Sequence, residues 1–391
     1  MIQREADKAL TQLAKWYPVV AVVGPRQSGK TTLIKNVFKD YTYVNLEDDF
    51  NRRLATSDPV GFVNSFGSHV VFDEIQNCPA LFSQIQVTSD ENEITGNYVI
   101  SGSRNLALSK NIRQSLAGRV GILKLLPLSL NEINSSSESL SVNDAMLLGG
   151  YPRLYASQIK HQNFYRNYIE TYVDKDVRID LKEINLSDYK KMIRVCAQYA
   201  GNLINYSNIA SAVGISRQTV KSWMSLLMES FICFELPAFY SNKLKSLTKS
   251  PKLYFYDTGL LCYLLGVKST EDLMFSANKG QIFENFVISE TVKKYHNSDS
   301  DGSLYFYRDN SKREIDLVDA TNANDIQLAE IKSTSTFDSK LMKNLKLIGD
   351  SLCVKEKDRH LIMNTDRHYS FNEMNVENVT SWIQDLDKRL R

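Results

Sequence analysis

The chain has 391 residues, 43% of them hydrophobic and 24% charged, which is enough to build two or three globular domains with ample cores. No stretch approaches the roughly 18 consecutive apolar residues of a membrane-crossing helix, and the start Met1-Ile-Gln-Arg-Glu-Ala-Asp has no apolar leader, so a cytoplasmic location away from membranes is expected. The five cysteines (Cys78, Cys196, Cys233, Cys262 and Cys353) are scattered without a Cys-x-x-Cys pair, which argues for reduced thiols and against a zinc site.

In chain order, the first informative segment is Val19-Val-Ala-Val-Val-Gly24-Pro25-Arg26-Gln27-Ser28-Gly29-Lys30-Thr31-Thr32. A β-branched apolar run that ends in GxxxxGK[ST] predicts a buried strand feeding a phosphate-binding loop. The glycines let backbone N–H groups turn inward, Lys30 reaches the β/γ oxygens of a nucleoside triphosphate, and the Thr31 hydroxyl is placed to ligate Mg²⁺. The helix that begins at Thr32 aims its positive dipole end at the same anion. Downstream, His69-Val-Val-Phe-Asp73-Glu74 is a second apolar strand ending in carboxylates. After a P-loop, Asp73 is expected in the Mg²⁺ shell and Glu74 as the group that polarises the attacking water, since phosphoryl transfer depends on positioning and charge neutralisation. The cofactors expected are therefore ATP and Mg²⁺.

Three further strand-like runs, Tyr41–Glu47, Asn97–Ser103 and Gly118–Leu126, alternate with helical segments and complete an α/β sheet of five strands. Ser101 or Ser103, at the end of the fourth strand, is placed to sense the γ-phosphate, although serines beside glycine also serve as ordinary turn formers. Arg119 and Arg104 are candidates for stabilising transition-state charge, in cis or in a neighbouring subunit of a homo-oligomer.

The charge is unevenly distributed: residues 1–150 carry −1, residues 151–270 carry +7 and residues 271–391 carry −4. Within the basic middle segment, Asn205-Tyr-Ser-Asn-Ile-Ala-Ser-Ala-Val-Gly214-Ile-Ser216-Arg217 reads as a helix ending at Gly214 and a second helix capped by Ser216, a helix-turn-helix. The second helix offers Arg217, Gln218, Lys221 and Ser222 near its N-terminus for contacts to DNA. The runs Phe231–Leu236 and Lys252–Tyr256, separated by Lys243, Lys245 and Lys249, predict a hairpin wing. Such modules also act as packing elements, so the motif identifies a fold more securely than a ligand. The stretch 160–200 places Glu170, Asp174, Asp176 and Arg178 at helix-neighbour spacing, read as solvated pairs.

Gly-Pro-Arg-Gln-x-Gly-Lys-Thr-Thr, Val-Val-Phe-Asp-Glu-Ile-Gln, Ser-Gly-Ser, Ser115-Leu-Ala-Gly-Arg119 and Leu126-Pro-Leu-Ser follow one another in order, with Gly149-Gly-Tyr-Pro152, Tyr168–Val177 and Tyr256-Asp257-Thr-Gly-Leu-Leu261 further on. Together they resemble the prokaryotic AAA-type ATPases that carry a C-terminal domain of unknown function 4143. The resemblance covers nearly the whole chain and implies an ATPase joined to a winged-helix segment and a nuclease-like region.

The C-terminal part supplies its own pattern: Glu284 on the amphipathic segment Gly280–Glu290, Asp316 in Glu314-Ile-Asp-Leu-Val318, and Glu330 and Lys332 in Gln327-Leu-Ala-Glu-Ile-Lys. This resembles the PD-(D/E)xK nuclease core. Strand alternation puts Glu330 and Lys332 on one face; Asp316 and Glu330, with Glu284 as an extra ligand, could then hold Mg²⁺ or Mn²⁺ while Lys332 positions a water for phosphodiester attack. An exposed polar strand face is the competing reading. The expectation is thus an α/β P-loop NTPase of AAA type with a parallel sheet (residues 1–134), a helical winged-helix segment (135–269) and an α/β PD-(D/E)xK nuclease-like domain (270–391). Two functions stay open: an ATPase that binds and cuts DNA, and an ATP-gated switch whose later domains only bind DNA or protein.

Overall fold

The computed structural model describes residues 2–92, 94–103, 115–136, 140–173, 185–240 and 250–390. Arg104, Asp174, Asp176, Arg178, Lys243, Lys245 and Lys249 lie outside the described residues. The chain divides into two compact units, one built on residues 1–128 with Glu229–Phe231 and His296–Ser300, the other on the remainder. Among the described residues no helix is long and apolar enough to cross a membrane.

In the first unit, β1 (Val19–Val23), β2 (Thr42–Asn45), β3 (Val70–Asp73), β4 (Tyr98–Gly102) and β5 (Val120–Lys124) form one all-parallel sheet in the order β2-β3-β4-β1-β5. All five side chains of β1 are buried, as a strand flanked on both edges and covered on both faces must be. α1 (Asp7–Trp16) and α2 (Lys30–Val37) cover one face through Leu10, Leu13, Leu33 and Ile34, which join Val20, Val22 and Val99 in the core. The five expected strands are all present. Their order matters for chemistry, because β4 lies between β1 and β3 and its C-terminal end therefore stands between the P-loop and Asp73.

In the second unit, the helix Tyr206–Val213 is capped by the Asn205 side chain and ends at Gly214, whose φ of 91° is left-handed. Ser216 Oγ accepts from Thr219 N at 3.0 Å and opens the helix Arg217–Glu229. Val220, Trp223, Met224 and Leu227 of that helix are buried. The strands β6 (Cys233–Leu236) and β7 (Lys252–Phe255) then pair antiparallel.

A mixed sheet follows, ordered β12-β13-β11-β10-β9-β8. Its strands β8 (Leu304–Arg308), β9 (Glu314–Asp319) and β10 (Gln327–Lys332) form an antiparallel meander. From β10 the helix Lys343–Ser351 leads to β11 (Arg359–Met363), which runs parallel to it, and β12 (Tyr369–Phe371) and β13 (Met374–Glu377) complete the sheet.

Two motifs of the middle region meet in a buried knot. Asp257 accepts from Gly150 N at 2.7 Å, from the Tyr165 hydroxyl at 2.7 Å and from Leu260 N at 2.8 Å, so it both caps the helix Thr258–Leu265 and ties it to the Gly-Gly-Tyr-Pro turn. Gly149 takes φ 72°, and a Cβ there would stand 2.1 Å from the Tyr165 hydroxyl oxygen. These contacts hold the turn against the helix.

Candidate nucleotide site and C-terminal carboxylate cluster

The P-loop leaves β1 at Val23 and closes on α2. Gly24 passes so near β5 that a Cβ on it would lie 2.1 Å from the Leu125 carbonyl oxygen, which explains the glycine at that position. Pro25 and Ser28 are buried, Arg26 stands 3.8 Å from Glu47, and Gln27, with φ 62°, is exposed. Gly29 precedes the first residue of α2, and Thr32 is exposed in its first turn. Lys30 is buried and its Nζ donates to the carbonyls of Gly24 at 2.9 Å and Pro25 at 2.8 Å. An ammonium held over the loop in this way is poised above the position the loop reserves for phosphate oxygens. Arg4 fastens the loop from below, donating to Ser28 O at 2.7 Å and to Leu126 O at 2.8 Å.

Asp73, at the end of β3 and 4% exposed, is the hub of the site. Its Oδ2 accepts from the Thr31 hydroxyl at 2.8 Å and from the Tyr43 hydroxyl on β2, while its Oδ1 accepts from Ser101 on β4. Burial first, then the bond to Asp73, holds the Tyr43 phenol well above its ordinary range, so it stays a donor. Ser101 Oγ in turn accepts from Glu74 N at 3.2 Å. Glu74 has φ 57°, a left-handed backbone rare for its type. Its carboxylate accepts from Gln76 Nε2, which also reaches Ser103 Oγ at 3.3 Å. Thr31, in the first turn of α2, is thereby brought beside Asp73 and Glu74 at the end of β3. Hard oxygen donors from Thr31 and Asp73, side by side, fit a Mg²⁺ ion shared with phosphates. Ser103 faces the Glu74–Gln76 pair.

Arg119 departs from the expectation of a role in cis. It precedes β5, and its carbonyl accepts from Val19 N at the start of β1. The P-loop is at the other end of that strand, on the order of 15 Å away at the usual rise per residue. Its guanidinium instead forms a two-pronged pair with Asp90 and donates to Ala117 O at 3.2 Å. Within one chain, Arg119 thus stands away from the phosphate-binding loop.

The second unit assembles the C-terminal set. Glu284, Asp316, Glu330 and Lys332 converge as expected from the resemblance: Lys332 Nζ lies 2.7 Å from Glu330 Oε1 and 3.5 Å from Asp316 Oδ2, and Ile331 N donates to Asp316 Oδ2 at 2.8 Å. Burial, and next the charge of Asp316, push Glu330 up to about 8 and Glu284 up to about 7. Two residues not foreseen complete the cluster. Lys252 of β7, its side chain 3% exposed, lies 2.5 Å from Glu314 Oε1, 3.0 Å from Glu284 Oε1 and 3.9 Å from Asp316 Oδ1. The expected Mg²⁺ or Mn²⁺ site on Asp316, Glu330 and Glu284 is thus corrected: an ammonium sits among the carboxylates, and among the described residues no group of three or more His, Cys, Asp or Glu side chains is arranged to hold a metal ion. As it stands the cluster does not fit one.

On the helix Arg217–Glu229, Arg217, Gln218, Lys221 and Ser222 are all exposed and share one face. Lys221 Nζ lies 5.7 Å from the centre of the Tyr206 ring.

Arg4, Tyr43, Gln76, Lys252 and Glu314 were missed. Tyr43 becomes a candidate only when β2 is known to lie beside β3. Lys252, a lone cation in the apolar run Lys-Leu-Tyr-Phe, was the one legible signal among them.

Residues 17–134 match the family model of an AAA domain. Residues 139–271 and 279–382 match two models described as Domain of unknown function (DUF8612) and Domain of unknown function (DUF4143). An uncharacterized protein of Mycobacterium tuberculosis is 27% identical over 338 residues, 85% of this chain and 74% of that one. An uncharacterized protein of Methanocaldococcus jannaschii is 26% identical over 310 residues, 71% and 67% of the two chains. Among solved structures, a Walker-type ATPase of Pyrococcus abyssi aligns with a TM-score of 0.46 at 13% identity, covering 68% of this chain and 96% of that one. The family matches thus place an AAA domain of P-loop type at residues 17–134, followed in sequence by the region matched by domain of unknown function 4143.

Proposed function

We propose that this protein is a Mg²⁺-dependent ATPase that binds DNA, with residues 1–134 as the motor, 135–269 as the DNA-contacting winged-helix module and 270–391 as a nuclease-like module. The observation that carries the catalytic half is Asp73, which gathers Thr31, Tyr43 and Ser101 and through Ser101 reaches the Glu74 backbone. Gly24 to Thr32 would wrap a bound triphosphate with Lys30 towards its β/γ oxygens, and Thr31 and Asp73 would hold Mg²⁺, which would supply charge neutralisation at the transferring phosphoryl group. Glu74 orients and polarises the attacking water, and the Ser103–Gln76 pair fixes where its carboxylate points. In a homo-oligomer Arg119 would supply charge to the neighbouring site.

DNA binding is supported by the net +7 of residues 151–270 and by the exposed row Arg217, Gln218, Lys221 and Ser222 at the start of the second helix of a helix-turn-helix. Replacing Arg217 and Lys221 with alanine should weaken DNA binding and lower the slope of log affinity against log salt by about 0.9 per lost phosphate contact. Basal ATP turnover should persist. An unchanged affinity and slope in the folded double variant would return the motif to a packing role.

A second reading, in which the C-terminal module cuts DNA, is favoured by one observation: Glu284, Asp316, Glu330 and Lys332, distant in sequence, share one buried cluster. The Lys252 contact speaks for the switch, in which the module only binds, for as long as that lysine remains in place.

A further inference from the structure

We propose that Tyr43 is a positioning residue for the metal half of the nucleotide site: its hydroxyl holds the Asp73 carboxylate against Thr31 and thereby sets how tightly the site takes Mg²⁺, apart from how tightly it takes ATP. The proposal rests on the Mg²⁺-dependent ATPase reading and assigns a role within it to a residue of β2, outside both the phosphate-binding loop and the strand that ends in Asp73.

Asp73 is 4% exposed, and both of its carboxylate oxygens are engaged. Oδ1 accepts from Ser101 of β4, whereas Oδ2 accepts from Thr31 at 2.8 Å and from Tyr43. A carboxylate that turns one oxygen towards Thr31 and a metal ion needs its orientation fixed, and donors from α2, β2 and β4 on its two oxygens do this. A hydroxyl carries one proton and two lone pairs, so Thr31 can keep its proton on Asp73 and still offer an oxygen to the ion. Tyr43 is a donor aimed at the oxygen that Thr31 shares. It acts on the metal through Asp73, as outer-shell hydrogen-bond partners orient the carboxylates of metal sites.

The phenol is itself seated. Its ring packs against the core of the first unit, and Lys35 Nζ of α2 lies 3.7 Å from the ring centre. The strand does not depend on the hydroxyl, because Thr42 to Asn45 pair with Val70 to Asp73 along the backbone and Leu46 N donates to Asp73 O at 3.0 Å. Removing the hydroxyl oxygen alone therefore loosens the Asp73 side chain and leaves β2 in place. The two flanking donors also differ in reach. Ser101 Oγ accepts from Glu74 N at 3.2 Å and so supports the water-polarising residue as well, whereas the Tyr43 hydroxyl donates to Asp73.

The test compares the parent chain with Tyr43→Phe, which keeps the ring. Mg²⁺ titrations of fluorescent-ATP binding and of turnover, with Mn²⁺ uptake in the presence of ATP followed by electron paramagnetic resonance, read the metal. ATP titration in EDTA reads the loop, and urea unfolding reads the fold. Tyr43→Phe should need about tenfold more Mg²⁺ for half-saturation and hold Mn²⁺ correspondingly more weakly, while its ATP affinity in EDTA matches the parent's. Its turnover deficit should shrink as Mg²⁺ is raised, whereas Ser101→Ala, which also loosens Glu74, should keep a deficit at saturating Mg²⁺. Equal metal affinity in the parent and Tyr43→Phe, or a loss of ATP affinity in EDTA as large as the loss of metal affinity, would overturn the proposal alone. A parent that takes up no Mn²⁺ with ATP would instead sink the Mg²⁺-dependent reading, and the proposal with it.

Discussion

Arg4 gives the sharpest test of how the nucleotide loop is held. It is 8% exposed and donates one hydrogen bond to Ser28 O inside the P-loop and another to Leu126 O beyond β5. Charge-assisted hydrogen bonds contribute about 1.5–3 kcal/mol each, and truncation strands two carbonyls in a buried place. Arg4→Ala should therefore lower unfolding stability by about 3–5 kcal/mol, with an unchanged denaturant slope. Because one anchor lies in the loop itself, ATP affinity should fall as well. Arg4→Lys, with a single ammonium able to reach one carbonyl well, should recover about half of the loss. Urea unfolding and fluorescent-ATP titration measure both. An Arg4→Ala midpoint equal to the parent's, or Lys and Ala variants that behave alike, would refute the view that Arg4 clamps the loop.

Gly149→Ala forces a left-handed residue to place Cβ 2.1 Å from the Tyr165 hydroxyl and 2.4 Å from Asp257 Oδ1, so it should cost about 3 kcal/mol and spare ATP affinity; chemical denaturation and nucleotide titration check both halves. Glu330 is held up to about 8 by burial first and the Asp316 charge second, against an ordinary 4.5. A folded-state value above the unfolded one stabilises the protein below the unfolded value, and that contribution is lost as pH rises through about 8. Denaturation midpoints at about pH 5 and about pH 9 should show the parent losing ground to Glu330→Gln at the higher pH; a constant difference between the two proteins would contradict this.

The nucleotide site was largely legible because its chemistry lies in short contiguous motifs: the glycine loop, and an apolar strand ending in Asp73-Glu74. Period and composition also identified the five strands and the helix pair around Gly214. What stayed hidden depends on strand order. Tyr43 and Ser101 reach Asp73 because β2 and β4 flank β3, and that adjacency is a tertiary fact with no local signature. Of the two roles open to Arg119, the one in cis depended on the same fact, since a parallel β5 puts its leading residue at the end of the sheet opposite the phosphate-binding loop. At the C-terminus, alternation correctly put Glu330 and Lys332 together, but it could not bring in Lys252, from a strand well upstream in the chain. A cluster read from its own segment alone looks like a metal site; with Lys252 it is a closed one.

The central claim is that the array around Asp73 and Glu74 turns over ATP. Its most direct measurement is phosphate release and ATP binding by the parent, Lys30→Ala and Glu74→Gln side by side, with and without DNA. Lys30→Ala should lose triphosphate affinity, whereas Glu74→Gln should bind ATP like the parent and fall in turnover by at least about a hundredfold, since only the polarisation of water is removed. Turnover by Glu74→Gln equal to the parent's, at matched ATP occupancy, would contradict the account.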